Sequence, residues 1–250
     1  MSRAPAYVIL GRGRWAKRMT SILMEANRSV AHIAETRLGA AENGEGYRRR
    51  LASELAGSGA QVAWLCVPPG PQILPILHAC ADSGVHAVVE KPWLGSQEET
   101  NAIQRLADEN GISIGVHYEY CMLDEVQSWR GSLGRGSGLG FGGVFRHSRP
   151  NHLAISAIDN LGSHLLSIRA YAVPDSRITD IACAYEMPDE RRVWIEKDSK
   201  RVDSLDLLTH TQPIVQRFMT RYEAALDGAA FELGLSFALQ VAAAAAALKK

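Results

Sequence analysis

Apolar positions in the first half of the chain fall alternately into short runs and longer periodic stretches. Tyr7-Val8-Ile9-Leu10 is a short β-type run. Residues 17–26 follow with helical spacing at Met19, Ile22 and Leu23. The alternation continues with a second β run over 30–35, a helix over 47–56, a buried strand over 62–67 and a helix over 72–83. A strand over 86–90, a helix over 97–110 with Ile103, Leu106 and Ala107 on one face, and a β run over 113–116 complete it. The run Val85-His86-Ala87-Val88-Val89-Glu90, opened by Gly84 and closed by Pro92, suits a strand buried on both faces of a parallel sheet. Strands alternating with helices predict an α/β fold, a doubly wound parallel sheet of Rossmann type with right-handed crossovers.

After Tyr118 the pattern changes. Residues 122–133 predict a linking helix, 134–143 a glycine-rich loop, 142–146 a strand, and 151–171 an apolar, helix-compatible segment. Beyond Pro174, residues 178–185, 192–196 and 202–208 read as two or three antiparallel strands. An amphipathic helix over 212–226 carries Ile214, Val215, Phe218, Tyr222 and Leu226 on its stripe, and a last helix covers 234–249. The expected organisation is a dinucleotide-binding domain over 1–118 and a reduced α+β domain over 119–250, which serves substrate binding and oligomerisation. The last helix is free to pack back on the first domain.

Composition narrows the function classes. With 250 residues, 46% hydrophobic and 22% charged, the chain can bury one large core or two moderate ones. Twenty-seven basic residues balance 27 acidic ones, so no global field draws in nucleic acid or an anionic membrane. Cys66, Cys80, Cys121 and Cys183 show no metal-ligand spacing and are too few for a disulfide framework, which predicts reduced thiols in the cytoplasm and no metal. The first apolar run is too short for a signal peptide, and the Ala-rich stretch over 241–248 is too short to span a bilayer.

The chemistry concentrates at strand ends. Gly11-Arg12-Gly13-Arg14-Trp15-Ala16 has the spacing G-x-G-x-x-A. Gly11 serves a tight turn, Gly13 lets backbone approach a pyrophosphate, and Ala16 packs closely on the strand, while the new helix offers free N–H groups to phosphate. Alone, such a spacing is also that of a structural glycine turn. Glu35 lies where a carboxylate would bond the ribose 2′-hydroxyl of NAD, whereas Arg37 could pair with the 2′-phosphate of NADP, so NAD is favoured and NADP stays open. Pro68 turns the third strand outward at the cofactor edge. Glu90-Lys91-Pro92 ends the fourth strand where open α/β sheets bind ligands, although a loop ion pair would read the same way. Asn160 and His164, four apart, share a face if helical.

Taken in order, Gly11-x-Gly13-Arg14-Trp15-Ala16, Glu90-Lys91-Pro92 and Asn160-x-Gly162-Ser163-His164 resemble the glucose-fructose oxidoreductase and inositol dehydrogenase family, Gfo/Idh/MocA. The resemblance implies that Gly11, Gly13, Arg14, Trp15, Ala16, Glu35, Arg37, Pro68, Glu90 and Lys91 hold NAD or NADP. It also implies that Lys91 and His164 handle the proton accompanying hydride transfer on a sugar, polyol or related carbonyl compound, or on an imine. The family's aspartate position holds Asn160, and an amide can orient an imidazole but cannot hold a negative charge. Only residues 174–211 remain for the family's open sheet, which implies a shortened C-terminal domain. A rival expectation is therefore a catalytically silent dinucleotide-binding sensor or accessory subunit. An open sheet leaves edges and apolar surface to cover, which predicts a homodimer or higher homo-oligomer.

Overall fold

The computed structural model describes residues 4–33, 36, 44–133, 138–153 and 155–249. In chain order its first elements are β1 (Tyr7–Leu10), α1 (Arg14–Glu25), β2 (Val30–Ile33), α2 (Gly44–Gly57), β3 (Val62–Leu65), α3 (Ile73–Ser83), β4 (His86–Glu90), α4 (Gln97–Glu109) and β5 (Ile114–His117). A 3₁₀ turn (Glu119–Met122) leads to α5 (Asp124–Ser132), β6 (Leu139–His147), α6 (Ala157–Asn160) and α7 (Gly162–Ala172). Then come β7 (Arg177–Tyr185), β8 (Glu190–Lys197), β9 (Lys200–Asp206), α8 (Ile214–Leu226) and α9 (Leu235–Ala247). The chain forms two compact units, residues 1–117 with 215–239, and residues 118–214 with 240–250.

The first unit is a five-stranded sheet in the order β2-β1-β3-β4-β5, parallel throughout, as the alternation predicts. Every residue of β1, β3 and β5 is buried, which explains why these runs are apolar without alternating. Because β2 and β3 flank β1 on opposite sides, the strand order reverses there, and the carboxyl ends of β1 and β3 open a crevice. Helix α1 buries Ala16, Met19 and Leu23 at helical spacing. Helix α4 starts on a capping box, in which Ser96 accepts the Glu99 N–H at 3.1 Å while the Glu99 carboxylate accepts the Ser96 N–H at 2.8 Å.

Helix α8 belongs to this unit although it lies a hundred residues downstream of β5 by chain order. Its Tyr222 hydroxyl donates its proton between the Ala87 and Ser113 carbonyl oxygens, at 2.9 and 2.7 Å. Glu223 accepts from Arg28 Nε at 2.8 Å, Arg28 Nη2 at 2.6 Å and the Tyr7 hydroxyl at 2.8 Å. Phe218, fully buried, packs against Trp64 and against the edge of His117. The apolar stripe thus buries against the sheet, and a satisfied polar cluster fixes its register.

The second unit corrects three expectations. Its sheet has four strands in the order β7-β6-β8-β9, not two or three, and β6 pairs β7 in parallel while β6–β8 and β8–β9 are antiparallel. Strand β6 begins at Leu139, so residues 139–141, read from the sequence as glycine-rich loop, are strand. The glycines are there for their neighbours: a Cβ at Gly142 would overlap the Trp194 indole, and one at Gly140 would lie 2.7 Å from Thr179 Cγ2. On the opposite face a Cβ at Gly143 would come within 3.1 Å of Leu165, so α7 sits close on the sheet. The helix expected over 151–171 starts only at α6, where Ser156 accepts the Asp159 N–H at 3.1 Å and donates to its carboxylate at 2.7 Å. Among the described residues, no helix is long and apolar enough to cross a membrane.

Candidate active site

At the crevice, Gly11 has φ +120°, and a Cβ there would lie 2.6 Å from the Cys66 carbonyl oxygen just beyond β3, so no other residue fits the turn from β1 into α1. Gly13 differs. Its φ is an ordinary −71° and a Cβ would meet nothing within 4 Å, so the protein itself does not require glycine. The open space over Gly13 is what a pyrophosphate lying on the backbone would use. As N-cap of α1, Gly13 has no side chain to cap with, and the first turn carries no acid. The N–H groups opening α1, through Arg14, Trp15 and Ala16, meet no built-in anion, in contrast to the capped start of α4. These residues fit a dinucleotide. Ala16 is fully buried against the sheet, Trp15 is half-buried, and Arg12, Arg14 and Pro68 are exposed. Glu35 and Arg37 lie outside the described residues. Thr36 is buried, and its carbonyl accepts the Tyr47 hydroxyl at 2.7 Å.

The exit of β4 carries a group the sequence reading missed. Glu90 and His117 are register partners on β4 and β5, and His117 Nδ1 lies 3.1 Å from Glu90 Oε1. Trp64, on the neighbouring strand β3, donates its indole N–H to the same oxygen at 2.8 Å. His117 is fully buried, stacked at 29° on Trp15 and edge-on to Trp64 and Phe218. Burial would raise the Glu90 carboxyl, but the charge and hydrogen bond of His117, with the indoles of Trp15 and Trp64, outweigh it and hold Glu90 below the ordinary glutamate value. Lys91, half-buried, follows directly and is joined to Pro92 by a cis peptide. Beside this exit a cavity of about 320 Å³ is lined by Pro69, Pro71, Leu74, Trp93 and Leu94, and the lining carboxylate, Glu99, is spent on the α4 capping box. It offers a polar substrate little to bind.

His164 belongs to the second unit, near the start of α7, and is 7% exposed. Its ring stacks on Phe145 at 4.9 Å and 10°, with Tyr120 edge-on at 5.0 Å. Nδ1 lies 3.8 Å from Glu119 Oε1, close enough for attraction and too long for a hydrogen bond. Glu119 supplies the negative charge that Asn160 cannot. The Asn160 amide instead donates to the Tyr185 hydroxyl, whose phenol is pushed up by burial and pulled partly back by that bond. Among the candidates, the structure thus gathers Gly11, Gly13, Arg14, Trp15, Ala16, Pro68, Glu90 and Lys91 at the strand ends of the first unit, and Asn160 with His164 in the second. His117 and Glu119 were missed, yet both sit in His117-Tyr118-Glu119-Tyr120, a charged and aromatic run at the end of a buried strand. The rule that singled out Glu90 at the end of β4 would have found it at the end of β5.

No family model matches the chain, and no curated protein matches it in sequence. Solved structures do. The chain is similar to a UDP-N-acetylglucosamine 3-dehydrogenase from Acidithiobacillus ferrooxidans, with TM-score 0.78 and 15% identity over 97% of this chain and 96% of that one. It is similar to the WlbA dehydrogenase from Thermus thermophilus solved with NAD and UDP-GlcNAcA, with TM-score 0.71 and 15% identity over 98% and 95%. An inositol dehydrogenase homologue from Azotobacter vinelandii, solved with NADH and myo-inositol, matches with TM-score 0.69 and 14% identity over 97% and 94%. At these identities the likeness establishes the fold. Because nearly the whole of each neighbour is covered, the expectation of a shortened second domain gains no support from them.

Proposed function

We propose that this protein is an NAD(P)-dependent oxidoreductase acting on a carbonyl or alcohol carbon of a small polar metabolite of the sugar or polyol type, with imine and amine as the variant pair. The observation that carries the reading is the bare start of α1 at the sheet's switch point, where Gly13 faces open space that its own fold does not need. The resemblance to the Gfo/Idh/MocA motifs and the sugar-dehydrogenase neighbours support it.

Gly11 and Gly13, with the α1 N–H groups of Arg14, Trp15 and Ala16, would hold the pyrophosphate; Pro68, Glu90 and Lys91 line the same edge of the sheet. A bound nicotinamide supplies a two-electron acceptor or donor. Lys91 polarises the substrate oxygen through its ammonium group. His164 exchanges the proton at Nε2, because Nδ1 is turned to Glu119. The silent-binder reading rested on the missing charge at Asn160 and on the shortened sheet, and Glu119 beside His164 weakens the first of these grounds. Glu35 favours NAD over NADP, which a comparison of the two dissociation constants decides. Self-association through the second sheet stays part of this proposal, checked by light scattering.

The experiment is nicotinamide fluorescence on titrating NADH into the protein and into Gly13→Val, followed by turnover against sugars, polyols, nucleotide sugars and imines. Gly13→Val should abolish binding and leave the fold intact, since its new side chain meets only the cofactor's space. Unchanged affinity would sink the dinucleotide assignment. Binding without turnover on any of the panel would return the silent reading.

A further inference from the structure

Among the described residues, Arg191 is a cation with no direct ion pair, its charge felt at longer range by exposed Asp189. It lies on β8 opposite Phe145 on β6, so the two side chains share the face of the sheet that α7 covers. The guanidinium carbon sits 4.9 Å from the Phe145 ring centroid, and Nη1 donates to the Tyr120 hydroxyl at 3.4 Å. Among the described residues, its buried Nε has no hydrogen-bond partner, and no carboxylate comes within ion-pair distance. The neighbouring acids are committed elsewhere. Glu190 pairs with Arg146 at 2.9 Å, and exposed Asp189 accepts the Ser148 N–H at 2.6 Å and lies 3.3 Å from His147 Nδ1.

A second donor stands near it. His210 is perpendicular to Tyr120 at 5.7 Å, and its buried Nδ1 has no hydrogen-bond partner among the described residues. Arg191 and His210 therefore both meet Tyr120, whose ring His164 also meets edge-on. A half-buried guanidinium without a carboxylate partner costs desolvation that Phe145 and the Tyr120 hydroxyl return only in part. Stacking on a ring holds the guanidinium plane and leaves its edge for a two-pronged bond to an oxyanion. Glu119 sets an opposing charge beside His164, 3.8 Å away, which leaves the Arg191 side as the favourable place for an anion.

We propose that Arg191, with His210 and the Tyr120 hydroxyl, forms an anion subsite, and that the substrate carries a carboxylate or phosphate group that docks there. The inference rests on the oxidoreductase reading and narrows its substrates to acidic or phosphorylated sugar derivatives. Three probes separate the sources: glucuronate for the carboxylate, glucose 1-phosphate for the phosphate, and myo-inositol as the neutral control. Each is titrated by calorimetry into the wild-type protein with and without NADH, and into Arg191→Gln, Arg191→Lys and His210→Asn.

At least one anionic probe should bind more tightly than myo-inositol. Arg191→Gln should weaken it roughly 10- to 100-fold, the range expected for charge-assisted hydrogen bonds, with NADH affinity unchanged. Arg191→Lys should recover only part of that loss, since an ammonium lacks the fork, and it serves as the folded control if the glutamine variant is unstable. Equal affinity for neutral and anionic probes, indifference to the substitutions at Arg191, or no anion binding at millimolar probe would each overturn the subsite. Absence of NADH binding would instead strike the oxidoreductase reading, while Arg191-dependent anion binding measured without NADH would leave the subsite standing.

Discussion

Among the candidate site residues each unit places a histidine beside a carboxylate, and the two pairs are built differently. His117 and Glu90 face each other across a parallel ladder, 3.1 Å apart, with Trp64 donating to the same oxygen and the imidazole fully buried among aromatic rings. Their separation is set by backbone hydrogen bonds, so neither can move without the sheet. His164 and Glu119 come from a helix and a 3₁₀ turn, stand 3.8 Å apart, and are steadied by Phe145 and Tyr120. The contrast separates two uses of the same chemistry. A sealed, directly bonded pair holds the exit of β4, and with it the start of Lys91, in place. A looser pair on a ring surface leaves its ring nitrogens without a fixed hydrogen bond to the carboxylate.

The comparison breaks first at His164. Replacing it by Ala should lower kcat by roughly 10² to 10⁴ with the circular dichroism spectrum retained, and a fully active variant would make both pairs structural. Next is Glu90→Ala, which should cost about 3 to 5 kcal/mol in urea unfolding because it strands a buried histidine and an indole donor. A loss within the scatter of surface substitutions would show that the pair does not hold the sheet.

The acid dependence sharpens the same point. Glu90 titrates below the ordinary value of 4.5 in the folded protein, so its contribution is complete above that pH and is lost as pH falls through the lower folded value. Wild type and Glu90→Gln should therefore differ in stability above pH 4.5 and converge in acid. A smaller effect is expected from Glu119→Gln. It keeps the shape of the side chain beside His164 and removes its charge, so kcat should fall by less than in His164→Ala, and an unchanged kcat would show that the pair does not act together. The smallest belongs to Asn160→Ala, a factor of roughly 2 to 10 in activity, the worth of one neutral hydrogen bond. Tyr185→Phe should match it, and the double variant should cost no more than either alone, since both remove the same bond.

The first unit was legible because its strands are apolar runs of β-branched residues and its helices carry one-sided stripes. Strand β4 begins and ends where the pattern placed it, and α4 is shorter by one residue. Strand β6 was legible only over 142–146, and its start was not. Glycine in sequence signals a turn, and the reason for Gly140 and Gly142 lies in Thr179 and Trp194, residues far along the chain that crowd the strand from one face. The same holds for the site. Glu90, Lys91 and His164 carry motif spacing, whereas His117 and Glu119 acquire their roles only when β5 pairs with β4 and when the 3₁₀ turn meets α7. Local pattern reports local structure; a partner brought from another strand leaves no period to read.

The attachment of α8 has a consequence for the order of events during biosynthesis. Tyr7 must wait for Glu223, 216 residues later, and the carbonyls of Ala87 and Ser113 must wait for Tyr222. As the chain leaves the ribosome, all five strands of the first sheet emerge long before the helix that covers Trp64 and His117. The nascent sheet therefore carries an uncovered aromatic face through the synthesis of residues 118–214, a surface on which a chaperone would act. A chain released at residue 117 should remain aggregation-prone, and supplying residues 215–239 in trans or by circular permutation should rescue it.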